Sequence, residues 1–425
     1  MPSVQCRGYS LVELIVAVAI GLLIVAGALG LMVGQQHAFQ QTAADRGMQE
    51  TARIALENIG GNLGQAGYGV DPALVFDFGQ EAAARMQAGY NNGAAFTTAS
   101  TDSCPAQPVA CRDSTNQPDE ISFLSRDPQF GPHPLLAPPT SGTLTIAGPL
   151  SVPLMQGQLL QVMCYTGSMT WAYVTVSQYQ AATTNSSIQI HITAGTSVFP
   201  NQTSSFSDSC YTLVATPDTT VTTFPQVSAS SLLTAAKVFK IDRYHYYIQS
   251  YDSTGKVVGW GAANSRPYLM LDQGLTDQNG NRVNNVITPD VEDLQFAYDF
   301  PLATANQLVG ATTGTAIATD DTGINLATTA PIYGDAETSA TKMTHHPGNI
   351  RGVQVSLVVR SSGPDVGSTG DNLPAAGNRA AMARSDGYRR LLIQSTVAVP
   401  NLSALLPLYP YYDTSGASQL NAGGG

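Results

Sequence analysis

The hydrophobic pattern of this chain begins with its longest apolar run. The 20 residues 14–33 carry no charge, which is the length a helix needs to cross a hydrocarbon layer of about 30 Å. Apolar residues then recur at steps of three and four, as expected for one face of an amphipathic helix. They are Met48, Ala52, Ala55, Leu56, Ile59 and Leu63. Glycines crowd residues 60–69, so the pattern predicts one helix over residues 9–66, with its membrane span at about 14–33.

Beyond the helix, short apolar segments are separated by Gly, Pro, Ser and Thr, and some alternate with the two-residue period of β-strands. The predicted strands are 119–125, 143–146, 159–164, 172–177, 188–192, 237–250, 266–271, 285–300, 350–361 and 388–402. Residues 70–118 and 301–348 lack such periods and predict loops, the second of them an exposed insertion. We expect a variable β-rich region at 67–235 and a C-terminal β-rich region at 236–425. The fold class is α+β, a long helix packed on an antiparallel β-sheet with large loop and β insertions.

A short motif precedes the apolar run, and it reads Gly8-Tyr9-Ser10-Leu11-Val12-Glu13. It resembles the signal of type IV prepilins, in which Gly is followed by an aromatic residue, a hydroxyl residue, Leu, an aliphatic residue and Glu. The resemblance implies that prepilin peptidase removes residues 1–8 by cutting after Gly8 and that Tyr9 is then N-methylated. Family members usually have Phe where this chain has Tyr9. An ordinary signal peptide or signal anchor is the alternative, with a weak cleavage site at residues 26–28.

The same resemblance gives Glu13 a role in assembly. A carboxylate near lipid is costly unless it is paired. In a filament of type IV pilins, Glu13 would pair with the α-amino group of Tyr9 on a neighbouring subunit and set the axial register. The alternative is a carboxylate at headgroup depth without a partner.

Two later segments are similar to PilW-type minor pilins. They are Arg53–Glu57 followed by Leu63–Tyr68, and Val291–Gln295 after a tyrosine-rich strand. Pro400 departs from the Arg that members often have before the closing Asn-Leu. The resemblance implies a pilin-like fold and a minor pilin that primes type IV pilus assembly and contributes to the tip complex, in adhesion and twitching motility. It also implies other minor pilins, the major pilin and a tip adhesin as partners.

This resemblance places the chain first in the inner membrane as a single-pass protein with a periplasmic bulk, and then in the pilus at the cell surface. Two alternatives remain open. A type II secretion minor pseudopilin shares the N-terminal motif, and a membrane-anchored periplasmic binding domain shares the apolar helix.

The net charge and the cysteines of the chain indicate which partners and which redox state to expect. The formal charge is −11 and only 12% of residues are charged, so we expect no nucleic-acid partner. Cys6 lies in the leader, and an oxidising periplasm favours disulfides between the other cysteines. Four cysteines allow three pairings, of which we favour Cys104–Cys111 and Cys164–Cys210. The alternative is a zinc site, for which the spacing of Cys104 and Cys111 is unusual.

Three other groups of residues could carry chemistry. Asp277, Asn279 and Asn281 place oxygen atoms at alternate positions, as in a calcium loop, but an Asn-Gly hairpin turn explains them without a metal. The His345-His346 pair is either half of a metal site or part of a solvated loop. Tyrosines at strand spacing form either a stacking surface or, as we favour, part of the core. They are Tyr244, Tyr246, Tyr247 and Tyr251. The chain contains no Gly-x-Ser-x-Gly nucleophile motif, and we expect neither an enzyme nor a cofactor.

Overall fold

The structure is a computed structural model that describes most of the chain. The described residues are 11–76, 117–165, 169–194, 203–216, 228, 234–301, 306–309, 350–365, 369–377 and 379–403. Gly8, Tyr9, Cys104, Cys111 and the His345-His346 pair lie outside these ranges, as does most of the predicted insertion at 301–348.

The helix α1 runs from Leu11 to Leu63 without a break. Its 53 residues give a length of about 80 Å at 1.5 Å per residue. It ends where the sequence predicts, because the chain turns through Gly67 and Gly69 with φ of 79° and 66°, values that favour glycine. A second, short helix α2 spans Pro400–Ser403.

Within the described ranges, fourteen strands follow α1. Their bounds are β1 Ile121–Arg126, β2 His133–Pro134, β3 Thr143–Ala147, β4 Leu159–Tyr165, β5 Met169–Thr175, β6 Ser187–His191, β7 Lys237–Tyr251, β8 Val257–Val258, β9 Arg266–Thr276, β10 Arg282–Pro289, β11 Val291–Pro301, β12 Asn306–Val309, β13 Gly352–Arg360 and β14 Arg390–Ala398. Each predicted strand overlaps one of these. The sequence pattern does not separate β10 from β11, whereas in the structure Asp290, with φ of 64°, turns the chain between them.

These strands form three antiparallel sheets. An eight-stranded sheet has the order β10-β9-β7-β4-β5, and β1, β2 and β8 pair with other parts of β7. A four-stranded sheet has the order β12-β11-β13-β14, and β3 pairs with β6 in a third sheet. The predicted α+β class, with a long helix on antiparallel sheet, is confirmed. Strands from both sides of residue 236 pair within the eight-stranded sheet, so the two predicted β-rich regions share a core.

The eight-stranded sheet is covered on both faces because its strands alternate between two cores. In β4, Leu159 faces a core shared with α1, whereas Leu160 and Val162 face a second core. We call the first the helix-side core; it includes Met48, Ala52, Ala55, Ile59 and Leu63 of α1. We call the second the outer core; it includes Leu144, Ile146, Ile188 and Ile190 of β3 and β6. The two-residue period of a strand is what allows one strand to serve both cores.

Candidate functional site: the exposed half of the N-terminal helix

The first half of α1 projects from the body of the protein. Its apolar side chains are well exposed, for example Leu11 at 75%, Leu23 at 74% and Val33 at 64%. Its most apolar 18-residue window has a mean hydropathy of 2.8, and none of it is buried. Among the residues that the structure describes, α1 is the one helix long and apolar enough to cross a bilayer. An exposed apolar surface of this size requires lipid or protein to cover it.

The structure places Glu13 in the first turn of α1. Its side chain is exposed, at the helix end where the backbone dipole favours a negative charge. Tyr9, the residue that would supply the pairing amine, lies outside the described residues. The position of Glu13 at the start of the exposed half is therefore established, whereas its pairing remains a prediction.

The second half of α1 is fixed to the eight-stranded sheet through Tyr246. The phenol of Tyr246 is fully buried, and burial raises its pKa to about 12, so it keeps its proton. Its hydroxyl donates a hydrogen bond to Asn58 Oδ1 at 2.7 Å and accepts one from Asn62 Nδ2 at 2.5 Å. Two consecutive turns of the helix are thus joined to strand β7.

Residues around β14 contact the helix at two levels. Arg389, next to β14, forms an ion pair with Asp45 at 3.0 Å and donates to the backbone carbonyl of Gln41 at 3.4 Å. At the other end of the strand, Val397 packs against Gly60, where a Cβ atom on the glycine would lie 3.5 Å from Val397 Cγ2.

These two contacts give the direction of β14. The helix rises about 22 Å between residues 45 and 60 at 1.5 Å per residue. The strand rises about 26 Å between residues 389 and 397 at 3.3 Å per residue. Since the two lengths nearly match, β14 runs alongside α1, in the same direction and close to parallel with its axis.

The loop with the calcium-type spacing is a hairpin turn between β9 and β10. The carboxylate oxygen Asp277 Oδ1 accepts hydrogen bonds from the backbone N–H groups of Asn279 and Asn281, at 2.9 Å and 2.8 Å. These bonds lower the pKa of Asp277, and Gly280 has φ of 82°, as an Asn-Gly turn requires. The hairpin interpretation is confirmed. Within the described residues, no group of three His, Cys, Asp or Glu side chains could hold a metal.

The predicted disulfide Cys164–Cys210 is present, with 6.0 Å between the two Cα atoms. It joins β4 to a 3-10 helix at Ser209–Thr212, and both cysteines are buried in the outer core.

The tyrosines of β7 divide by exposure: Tyr246 and Tyr247 are core residues, while Tyr244 and Tyr251 are half-buried. The core interpretation of the first two is confirmed.

Sequence reasoning missed the buried ion pairs of the four-stranded sheet. Arg379 and Asp293 form one at 2.7 Å with both side chains fully buried, and Arg390 pairs with Glu292 at 2.7 Å. The sequence did contain one indication of these pairs, which is the adjacent acids Glu292 and Asp293 in the mostly apolar strand β11. Buried carboxylates in a strand require cationic partners. The first pair holds Arg379 against β11, and the second joins β14 to β11 across β13.

A polar cavity lies beside these ion pairs. It has a volume of about 30 Å³ and is lined by residues that include Trp260, Glu292, Arg360 and Arg384. Its positive and negative side chains balance, and this volume suits water rather than an organic ligand. The described part of the chain therefore presents the exposed helix, and not this cavity, as its functional surface.

The long helix on antiparallel sheets defines a pilin-like α+β chain. In comparisons with known families, the prokaryotic N-terminal methylation motif matches residues 4–29. This match supports a type IV pilin-like prepilin signal at the N-terminus of the chain. Searches of curated proteins and of solved structures found no match.

Proposed function

We propose that this protein is a PilW-like minor pilin of a type IV pilus, which primes pilus assembly and contributes to the tip complex. The observation that carries the proposal is the methylation motif at residues 4–29, which continues directly into a helix whose apolar half is exposed. Such a helix can lie in the inner membrane and then pass into the shared interior of a filament. The role is structural rather than enzymatic.

In this mechanism, prepilin peptidase cuts after Gly8 and methylates the new N-terminus at Tyr9. The α-amino group set free by the cut pairs with Glu13 of a neighbouring subunit, which offsets the cost of moving a carboxylate into an apolar filament. The large periplasmic body then faces outward, where it contacts other pilins and a tip adhesin.

Mass measurement of the mature N-terminus tests the first step. We expect the purified chain to begin with methylated Tyr9 and the Gly8→Val variant to keep residues 1–8, because the side chain at the cleavage position obstructs a tight protease cleft. An uncut wild-type chain that begins at Met1 would contradict pilin biogenesis and favour a membrane-anchored periplasmic binding domain.

The Glu13→Gln variant tests the second step against Glu13→Asp, which keeps the charge. We expect both variants to be cut, and Glu13→Gln to enter filaments about tenfold less than wild type, while Glu13→Asp retains more. Equal incorporation of wild type and Glu13→Gln contradicts the pairing role of Glu13.

A deletion strain separates a pilus from a secretion pseudopilus. Loss of surface pili with normal secretion of exoproteins supports the minor pilin. A strain that keeps its pili and loses protein secretion identifies a type II secretion pseudopilin instead.

A further inference from the structure

Strand β14 is an open edge of the four-stranded sheet. In the part of the chain that the structure describes, it pairs with β13 and with no strand on its other side. Its nine residues pair one to one with β13, from Arg390 opposite Arg360 to Ala398 opposite Gly352, without a register shift. A strand edge of this kind presents a row of backbone donors and acceptors that another strand can pair with.

This edge lacks the features by which proteins usually protect an open strand. Residues 391–398 contain no charge and no proline, and Gln394, Ser395 and Thr396 are exposed. Strand β10, at the edge of the eight-stranded sheet, differs because two register shifts interrupt its pairing with β9. Charges, prolines and bulges block edge pairing, so β14 is the edge suited to receive a partner.

The direction of β14 limits the identity of that partner. The strand runs alongside α1, as the contacts of Arg389 with Asp45 and of Val397 with Gly60 require. A helix anchored in one membrane gives every copy of this chain the same orientation. Two copies can therefore not join their β14 strands in an antiparallel pair, because one copy would have to be inverted.

The other strand edges of this chain are poorly matched to β14. Strand β10 is bulged, β12 has four residues, and β5 contacts the 3-10 helix Thr203–Ser207. Among the described strands, a regular edge of nine residues is therefore found only in β14 itself. Within the described residues, this chain therefore offers no antiparallel partner edge of similar length and regularity, which favours a different polypeptide as the source.

We propose that the open edge of β14 binds an extended, uncharged segment of a different pilin subunit, which becomes the fifth strand of the sheet. This inference rests on the proposed function, since it assumes neighbours anchored in the same membrane. Backbone hydrogen bonds would supply the affinity, as in other cases of strand addition. The neutral side chains at 394–396 favour a segment without charge. The binding surface continues from the exposed half of α1, beside which β14 lies.

The test is photo-crosslinking in the native membrane, with the full chain carrying a photoreactive amino acid at Ser395. A matched variant carries it at Asn285, which is exposed on the β10 edge, and another at Phe39, which is 76% exposed on the helix. We expect Ser395 to crosslink to a different subunit that itself begins with a methylation motif, and Asn285 to give about tenfold less product.

A blocking variant complements this test. Ser395→Lys with Thr396→Lys places two charges on the open edge, and Asn285→Lys with Val286→Lys is the control on the bulged edge. We expect the first pair to lower the Phe39 crosslink to neighbouring subunits by about tenfold and the second to leave it within about twofold.

Three outcomes overturn the inference: a Ser395 crosslink to a second copy of this chain, a Ser395 crosslink to residues 404–425 of the same chain, or a Phe39 crosslink without one at Ser395. These results leave the proposed function standing if the leader is cut. An uncut leader, with no crosslink from Phe39 to another pilin, contradicts the proposed function itself.

Discussion

At the scale of single residues, polar side chains in apolar surroundings hold the elements together. Tyr246 joins α1 to β7 through Asn58 and Asn62. Arg379 and Asp293 join a surface segment to β11. The Arg379–Asp293 pair is fully buried, and the hydroxyl of Tyr246 meets two half-buried amides. Removing one partner leaves the other with less compensation, and this makes each contact sensitive to substitution.

The Tyr246→Phe substitution removes the hydroxyl between Asn58 and Asn62. We expect the free energy of unfolding to fall by about 1–3 kcal/mol, because two hydrogen bonds to half-buried amide groups are lost, each worth about 0.5–1.5 kcal/mol. Urea unfolding of the full chain in detergent measures the change. Tyr251→Phe is the control, since its half-buried hydroxyl donates to Gln249 within the same strand, and we expect a change within about 0.5 kcal/mol. Equal effects of the two variants would show that Tyr246 acts by packing alone.

His133 makes stability depend on pH. The imidazole is 4% exposed, its Nδ1–H donates to the carbonyl of Ala147 at 2.7 Å, and burial lowers its pKa below the ordinary value of 6.5. Because the unfolded chain takes up this proton first, stability is lost as the pH falls below 6.5 towards the pKa of the folded state.

Substitution isolates this contribution. We expect His133→Gln, which keeps a donor but does not titrate, to lose less unfolding free energy between about pH 7 and pH 5 than wild type does. Unfolding curves at the two pH values measure the difference. An unchanged pH dependence would indicate that His133 is not the group responsible.

At the scale of elements, the disulfide Cys164–Cys210 belongs to the outer core. It closes a loop with a sequence separation of 46 residues, and it fixes the 3-10 helix Ser209–Thr212 to β4. The helix-side core contains neither cysteine, so the two faces of the eight-stranded sheet should respond differently to reduction.

We expect replacement of both cysteines by serine to destabilise the outer core by about 2–4 kcal/mol. Amide hydrogen exchange should therefore rise in residues 203–216 and much less in residues 48–63 of α1. Exchange that rises equally in both segments would mean that the two cores unfold as one unit.

The sequence predicted the elements better than their arrangement. The apolar residues of α1 from Met48 to Leu63 and the alternation in β6 are local patterns, so the helix and most strands could be located. The division into three sheets depends on long-range pairs such as Phe123 with Tyr244, which leave no periodic signal. The partner of Asp293 could not be predicted either, because Arg379 lies 86 residues away and only the fold brings the two together.

At the scale of the whole molecule, the body and the exposed half of α1 are structurally separate. The polar contacts of α1 with the β14 region begin at Gln41 and Asp45, and the buried core begins at Met48. The first half of the helix therefore contributes little to the folding of the body, in keeping with the membrane and filament role proposed for it.

Removal of residues 1–36 tests this separation. We expect the shortened chain, secreted to the periplasm, to remain folded and to lose membrane association, with an unfolding free energy within about 1 kcal/mol of the full chain. Centrifugation of membranes and urea unfolding measure the two properties. Removal of residues 1–56 is the control, because it strips Met48, Ala52 and Ala55 from the core, and we expect that chain to unfold.

The alignment of β14 with α1 has a mechanical consequence. A pulling force transmitted through α1 acts along the direction of strands β13 and β14, and not across it. The hydrogen bonds between β13 and β14 are then loaded in shear, where they share the force and must break together, whereas a ladder pulled from its end unzips one bond at a time. In the filament that we propose, a body attached in this way would resist extraction when the fibre is stretched.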